Sequence, residues 1–416
     1  MSNPYSIYGV SDEAASLGSR TAETVRSRFE QIEKIRETNQ LRVIEAFRKY
    51  KFSEPHLGLT TGYGYDDIGR EKIEQIFADI MGAQKAYVRI QISSGTQAIS
   101  AMLFGILRPG DRLLSATGRP YDTLASTLGL TEKTYDGSLR NYGIDYDEVD
   151  LLPDGTFDTD SLLSKIDERV KVVFIQKSRG YTGRRALRRD DIEPVIKAVH
   201  GIRPDIIVAV DNCYGEFTET AEPCSYGADI CAGSLIKNPG GGIAPSGGYI
   251  AGREDLVEKT ARHPSAPGLG SEVGPSLGFN RQIAQGIFMA PHVVAECLKG
   301  AVFAAAAFEL AGIKTSPSYD EERGDIVQTI IFNDKDKLID FCGKVQSCSP
   351  VDSFVTPEPW DMPGYEDQVV MAAGTFTSGA TTEFSCDGPI KPPYIAYMQG
   401  GLVYEQVKLA VMKALS

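Results

Sequence analysis

The segment Ser93-Ser94-Gly95-Thr96 is the first place in the chain where residue types and spacing could do chemistry. It follows the strand-like run VRIQI and opens the helical run GTQAISAMLFGIL. Gly95 lets the backbone approach a ligand closely, and the free N–H groups at a helix start favour a phosphate. A hydroxyl side chain that only caps the helix is a common alternative. The segment therefore predicts either a phosphate loop or a capped helix.

Asp211 is the second candidate, because it ends the apolar strand IIVAV and begins the segment DNCYGEF. In an open α/β sheet the carboxyl ends of the strands face the ligand crevice, so an acid placed there can serve a site. The alternative is an Asx turn that only leads the chain out of the strand.

Lys237 is the third candidate and follows the next short apolar strand, in ICAGSLIKNPGGG. Most lysines are solvated surface charges. Here the lysine lies between an apolar strand and a Gly-rich stretch, where burial is expected to lower the pKa of the amine and make it nucleophilic.

A phosphate loop, a strand-end acid and a lysine, in this order, match the needs of pyridoxal 5′-phosphate (PLP). Its phosphate favours a helix N-terminus, its pyridinium nitrogen needs a carboxylate, and its aldehyde needs a lysine amine. The three segments together therefore predict PLP as the cofactor.

Other kinds of site are not supported by the motifs. The four histidines form no H-x-x-x-H pair and have no cysteine nearby at ligand spacing, so no metal site is expected. The segment GPSLG fits a hydrolase elbow, but the residues before it cannot form the strand that such an elbow requires. The nucleotide motifs G-x-x-x-x-G-K-[ST] and G-x-G-x-x-G do not occur.

The elements that must position these residues alternate between short apolar strands and helices. This alternation predicts an α/β fold with a mostly parallel sheet covered on both faces. The candidate strands are 87–92, 112–116, 171–175, 205–210, 229–234 and 248–251. We expect an N-terminal helical arm over residues 1–60, a large domain over 61–290 and a smaller C-terminal α+β domain over 291–416.

Composition limits the possible partners and location. The chain carries 43 basic and 56 acidic residues, a formal charge of −13, which disfavours nucleic acid and anionic lipid as partners. The most apolar segment, 301–313, is too short for a membrane span, and no basic flank precedes an apolar stretch at the N-terminus. Seven cysteines without disulfide spacing fit a reducing cytosol, so a cytoplasmic location is expected.

From about Thr60 to the C-terminus the chain resembles the fold type I PLP-dependent enzymes. The resemblance is to the Cys/Met metabolism group and, within it, to the methionine gamma-lyase-like family often called aluminium resistance proteins. It implies that Ser94, Gly95 and Thr96 in SSGTQAI hold the cofactor phosphate. It also implies that Tyr121, in GRPYDTLAST, stacks on the pyridine ring.

The same resemblance assigns roles to the other two segments. Asp211 would pair with the pyridinium nitrogen, Ser234 would bind phosphate, and Lys237 would form the covalent link to the cofactor. In the related lyases a Tyr and an Arg of the neighbouring subunit also reach the phosphate. The segment GYGYDDIGR occupies that place here, with Tyr63, Tyr65 and Arg70 as the candidates.

Two departures from the family pattern concern anion binding. Ile236 stands where the lyases commonly have a phosphate-binding Thr, so Arg179 or the loop 265–274 would have to supply a donor. The C-terminal Arg that binds the substrate carboxylate has no counterpart, because the last Arg is Arg323. Lys391, fixed between prolines in DGPIKPPY, is the substitute best placed by sequence, and we take Lys391 and Arg179 as candidate substrate-binding residues.

The resemblance implies a PLP-dependent carbon–sulfur lyase that acts on a small amino acid by β- or γ-elimination. Lys237, Asp211 and Tyr121 would be its catalytic residues. Alternatives that keep the cofactor are γ-replacement, aldol cleavage and transamination, and a catalytically silent binding protein is a further alternative. The resemblance also implies a homo-oligomer, a dimer or a tetramer, in which each active site is completed by the neighbouring subunit.

Overall fold

The structure is a computed structural model, and it describes residues 3–131, 136–362 and 367–416. Its helices are α1 (Asp12–Thr24), α2 (Arg26–Lys49), α3 (Ile68–Met81), α4 (Gly95–Ile106), α5 (Asp122–Leu128), α6 (Thr159–Ser164), α7 (Arg189–Ile202), α8 (Glu254–Ala261), α9 (Asn280–Leu310), α10 (Lys335–Ser347) and α11 (Tyr404–Ala414). Its strands are β1 (Lys85–Arg89), β2 (Arg112–Ser115), β3 (Asp145–Glu148), β4 (Val170–Gln176), β5 (Ile207–Asp211), β6 (Ile230–Ser234), β7 (Gly248–Gly252), β8 (Thr315–Ser316), β9 (Val327–Ile331), β10 (Val369–Ala372), β11 (Ser385–Pro389) and β12 (Ile395–Gln399).

A seven-stranded sheet forms the large domain, in the order β1-β7-β6-β5-β4-β2-β3. The neighbours from β6 to β3 pair in parallel, and β7 joins β6 and β1 antiparallel. Two hydrophobic clusters cover its two faces, which is why the central strands are apolar on both sides. The predicted α/β class is confirmed.

All six strands predicted in the large domain are present, within three residues at each end. The sequence reading missed β3, whose residues Asp145 to Glu148 are polar and only half-buried at the sheet edge. A polar edge strand that is only half-buried carries no apolar pattern, so periodicity could not reveal it.

The N-terminal arm consists of α1 and α2, and both helices pack against the long helix α9. The predicted domain boundary at residue 290 lies inside α9, which continues through Pro291. The chain therefore passes from the large to the small domain along a helix. Among residues 3–131, 136–362 and 367–416, no helix has the length and apolarity to cross a membrane.

The small domain is a five-stranded antiparallel sheet in the order β10-β11-β12-β9-β8, backed by α9, α10 and α11. One face of this sheet contributes to a hydrophobic cluster with those helices through residues such as Cys386 and Met398. Because side chains alternate along a strand, Asp387, Tyr397 and Gln399 lie on the opposite face, toward the large domain. The small domain thus forms a second wall for a site at the adjoining edge of the large sheet.

Candidate active site

A cavity of about 380 Å³ lies where β4, β5 and β6 end, between the two domains. Its wall includes Ser94, Gly95, Thr96, Tyr121, Asp211, Ser234 and Lys237. The structure therefore brings together in one cavity the phosphate-loop, ring-stacking, acid and lysine candidates that the sequence places far apart.

The phosphate-loop candidate forms the N-terminus of α4. Ser94 caps the helix, with its hydroxyl accepting a hydrogen bond from the Gln97 N–H at 3.0 Å. Gly95 is tightly enclosed, because a methyl group there would lie 2.9 Å from Cys213 Sγ and 3.4 Å from Ser234 Cβ. The same methyl group would lie 3.9 Å from Lys237 Nζ, so three distant segments converge on this glycine.

Asp211 lines the cavity at the end of β5 and is 3% exposed. Its Oδ1 accepts the Cys213 N–H at 3.0 Å, so the Asx turn considered as an alternative is also present. Burial raises the pKa of Asp211, and the charge of Lys237 and the Cys213 N–H partly offset that effect. The turn orients the carboxylate and does not remove it from the cavity.

Lys237 follows β6 in a turn in which its N–H donates to the Ser234 carbonyl at 3.3 Å. The expected lowering of its pKa is wrong for this structure. Burial opposes the charge, but Cys213, Tyr214 and other acidic groups around the amine, Asp211 among them, raise the pKa above its usual value. The acidic surroundings thus outweigh desolvation, and the amine stays protonated at neutral pH.

Tyr121 precedes α5, and its hydroxyl lies 3.4 Å from Thr96 Oγ1. Burial raises the pKa of its hydroxyl well above the usual value, with Asp211 adding to the shift. The ring therefore stays neutral. Thr96 Oγ1 also lies 3.2 Å from the hydroxyl of Thr123, a cavity residue that the sequence reading did not single out.

Tyr214 is a second cavity residue that sequence reasoning missed. Its φ of +67° lies in the left-handed region, which costs a bulky side chain about 1–3 kcal/mol. Its ring centroid is 4.0 Å from Lys237 Nζ. The sequence holds one signal for this residue: Tyr214 lies three residues after Asp211, in the segment that follows β5 at the ligand crevice.

The small domain contributes Val327, the segment 378–380, Tyr397 and Gln399 to the cavity wall. Tyr181 enters from the loop after β4, and its backbone carbonyl accepts the Tyr397 hydroxyl at 3.1 Å. These residues come from chain segments without a recognisable motif, so only the fold brings them to the site.

The two candidate substrate-binding residues lie elsewhere. Arg179 is buried behind the cavity, where its Nη1 donates to the Ser316 carbonyl at 2.7 Å. Lys391 is exposed and forms an ion pair with Asp367 at 2.8 Å. Neither residue lines the cavity, because the first is held by the small domain and the second points to solvent.

The segment 61–70 packs against the loop 272–277 of its own chain. Tyr63 and Tyr65 are exposed and stack on each other, with ring centroids 5.5 Å apart. Arg70 is 5% exposed, and its Nη1 donates to the carbonyls of Gly64 and Gly274 at 2.6 and 2.8 Å. The prediction that Arg70 reaches a partner's phosphate therefore does not fit, since its guanidinium is buried among carbonyls of its own chain.

The arrangement fits a PLP molecule by the chemistry of its donors. One cavity combines a helix N-terminus with hydroxyls, an aromatic ring at Tyr121, a buried carboxylate at Asp211 and the amine of Lys237. The glycine at position 95 keeps free the space that a methyl group would fill between Cys213 and Ser234. The loop 265–274, considered above as a phosphate donor, does not line this cavity.

Fold and site together define a fold type I PLP-dependent enzyme architecture. A PLP-dependent protein of Escherichia coli, YhfS, shares this fold at 16% identity, with a TM-score of 0.60 over 92% of this chain and 96% of that chain. Residues 14–416 match the family model described as methionine gamma-lyase, so the chain belongs to that family.

Two relatives resemble the chain over nearly its whole length. The uncharacterized protein YnbB of Bacillus subtilis is 50% identical over 92% of this chain and 91% of its own length. The structure of a carbon–sulfur lyase involved in aluminium resistance, from Clostridium novyi, is 47% identical with a TM-score of 0.95. That match covers 99% of this chain and 97% of the other.

Proposed function

We propose that this protein is a PLP-dependent carbon–sulfur lyase that eliminates a thiol from the β or γ carbon of a small amino acid. One observation carries the proposal: Cys213, Ser234 and Lys237 all lie next to Gly95 at the start of α4. Cys213 is two residues after Asp211, so the acid segment and the lysine segment both reach the phosphate-loop candidate. Membership of the methionine gamma-lyase family supports the reaction class. Replacement, aldol cleavage, transamination and a silent binding role are not favoured.

The roles of the residues follow from their places in the cavity. Ser94, Gly95 and Thr96 would hold the phosphate of PLP at the N-terminus of α4, together with Ser234. Asp211 would hold a proton on the ring nitrogen of PLP, and the ring of Tyr121 would pack against its pyridine ring. When bound, PLP supplies the electron sink for a carbanion at the substrate α carbon.

Lys237 is the proton carrier of this proposal. It is the one amine among the described residues that line the cavity. Once it has lost its own proton, its Nζ would take the α proton of the substrate and return a proton later in the reaction. The small-domain residue Gln399 presents an amide as a donor for the substrate carboxylate, in place of the absent Arg, whereas the Tyr397 hydroxyl already donates to the Tyr181 carbonyl.

Borohydride reduction and peptide mapping test this assignment. The phosphopyridoxyl group should be found on Lys237 in the wild type and be absent from Lys237→Ala, whereas Lys391→Ala should keep it. Recovery of the group on Lys177, the buried lysine paired with Glu219, would contradict the site. Incubation with methionine or cysteine should release keto acid, ammonia and thiol in equal amounts, whereas transamination would release no ammonia.

We further propose an even-numbered cytoplasmic homo-oligomer in which Tyr63 or Tyr65 serves the partner's site. Two exposed, stacked aromatic rings on a segment fixed by Arg70 support this proposal. Subunits carrying Lys237→Ala, mixed with subunits carrying both Tyr63→Ala and Tyr65→Ala, should regain part of the lost activity. Verified hybrids without recovery would show that the tyrosines act in their own chain or not at all.

A further inference from the structure

Tyr214 presents the face of its ring to the amine on which the proposed reaction depends. Lys237 Nζ lies 4.0 Å from the ring centroid, well within the distance at which an aromatic face attracts an ammonium group. Both residues line the same cavity, and although burial opposes the charge of the lysine, the acidic groups around its amine raise its pKa. An ammonium group in such a place loses water ligands, and the ring face replaces part of that interaction.

The backbone at Tyr214 is strained, and the strain directs the ring. With φ at +67°, Tyr214 adopts a conformation that glycine would take more easily, although Gly215 follows directly. Strain of this kind persists only where the surrounding structure enforces it. Here the Gly215 N–H donates to the Asn212 carbonyl at 2.8 Å and closes the turn around Tyr214.

The strained turn is tied to the lysine segment by the residue after Lys237. The side-chain amide of Asn238 donates to the Tyr214 carbonyl at 3.0 Å and to the Glu216 carbonyl at 2.9 Å. Asn238 is fully buried. The positions of the ring and of the amine are therefore set by one common set of hydrogen bonds.

We propose that Tyr214 is a positioning residue whose ring face holds the Lys237 amine in its ammonium form, so that the amine gives up this contact together with its proton before it condenses with the cofactor aldehyde and water is released. The inference rests on the proposed PLP function. It assigns to Tyr214 a task separate from that of Asp211 and Tyr121, because the ring acts through the lysine and not through the pyridine.

The comparison of Tyr214→Phe with Tyr214→Leu tests the proposal. Phe and Leu at this position carry the same backbone strain, so the two variants differ in the ring face. PLP is added to the full-length protein after its cofactor has been removed with hydroxylamine, and the absorbance of the covalent adduct is followed in time. The dependence on PLP concentration separates the dissociation constant of the initial complex from the first-order rate of covalent capture.

We expect Tyr214→Phe to capture PLP within about twofold of the wild-type rate, and Tyr214→Leu, in which the ammonium form loses the ring face, to be about tenfold faster at neutral pH. The dissociation constant of the initial complex should be the same in all three proteins. If Tyr214→Leu does not fold, Tyr214→Gly takes its place, because glycine adopts a positive φ without strain.

Three results would overturn the inference. Equal capture rates in the Phe and Leu variants, both near the wild type, would show that the ring face does nothing. An equal change of rate in both variants would assign the effect to the Tyr214 hydroxyl. A change confined to the dissociation constant would make Tyr214 a part of the cofactor wall. Wild-type protein that never captures PLP would instead refute the proposed function itself.

Discussion

Gly95→Ala is the substitution that most directly tests the geometry of the cavity. Gly95 has no positive φ, so the backbone itself accepts alanine, and only space requires glycine. The added methyl group would lie 2.9 Å from Cys213 Sγ and 3.4 Å from Ser234 Cβ. Overpacking of this kind costs about 1–3 kcal/mol. If that cost falls on the cofactor-bound state, PLP affinity drops by about five- to 150-fold.

The assay is equilibrium binding of PLP, followed by the change in its absorbance, for wild type, Gly95→Ala and a control. Gly201→Ala is the matched control, because Gly201 lies in helix α7 with no atom within 4 Å of the added methyl group. Combining Gly95→Ala with Cys213→Ala removes the nearest obstacle, and we expect the double variant to recover much of the lost affinity.

Wild-type PLP affinity in Gly95→Ala would refute the reasoning, since it would mean that the phosphate does not lie against the start of α4. Equal losses in Gly95→Ala and in the double variant would show that Cys213 is not the obstacle. A parallel fall in melting temperature without cofactor would assign the cost to the fold and not to the site.

Two further predictions concern stability and its dependence on pH. Burial raises the pKa of Asp387 to about 6, and a hydrogen bond from the Tyr181 hydroxyl offsets part of this increase. Ionisation of Asp387 therefore destabilises the fold as pH rises from about 4 to 7. Asp387→Asn should gain up to about 3 kcal/mol over wild type across that range in urea unfolding, and a pH-independent difference would contradict this. Asp67 caps α3, and although burial opposes its charge, hydrogen bonds from the Arg70 N–H, Ser276, Thr60 and Asn280 lower its pKa to about 2. Asp67→Ala should lose about 2–4 kcal/mol at pH 7. This loss should shrink as pH falls below 4 toward 2, and constancy down to pH 2 would refute the assignment.

The sequence predicted those parts of the fold and site that depend on local patterns. The strands of the large domain that are covered on both faces are continuous apolar runs, so they could be read directly. The segments around Gly95, Asp211 and Lys237 could be recognised because each combines a strand end with a residue type of known use. The edge strand β3 has no such pattern and was missed.

The residues that could not be predicted depend on orientation in three dimensions. Arg179 was a reasonable anion ligand by type, but the small domain binds its guanidinium behind the cavity. The sequence predicts that Arg70 reaches a partner's phosphate, yet its guanidinium donates to carbonyls of its own chain. The position of Tyr214 follows from a positive φ that tyrosine rarely adopts. Residue type suggests a role, whereas the direction of the side chain decides it.

The balance of charge in the cavity bears on the assembly of the enzyme. Among the described residues that line it, Lys237 is the one cation, and Asp122 and Asp211 are acids. A phosphate and a substrate carboxylate both add negative charge, and the N-terminus of α4 compensates only part of it. Hydroxyl and amide donors can bind these anions without neutralising them. Further positive charge or hydrogen-bond donors for the phosphate and the carboxylate must therefore come from residues outside this set. A partner subunit that places its exposed tyrosine segment at this cavity would supply such donors, which gives a physical reason for a shared active site.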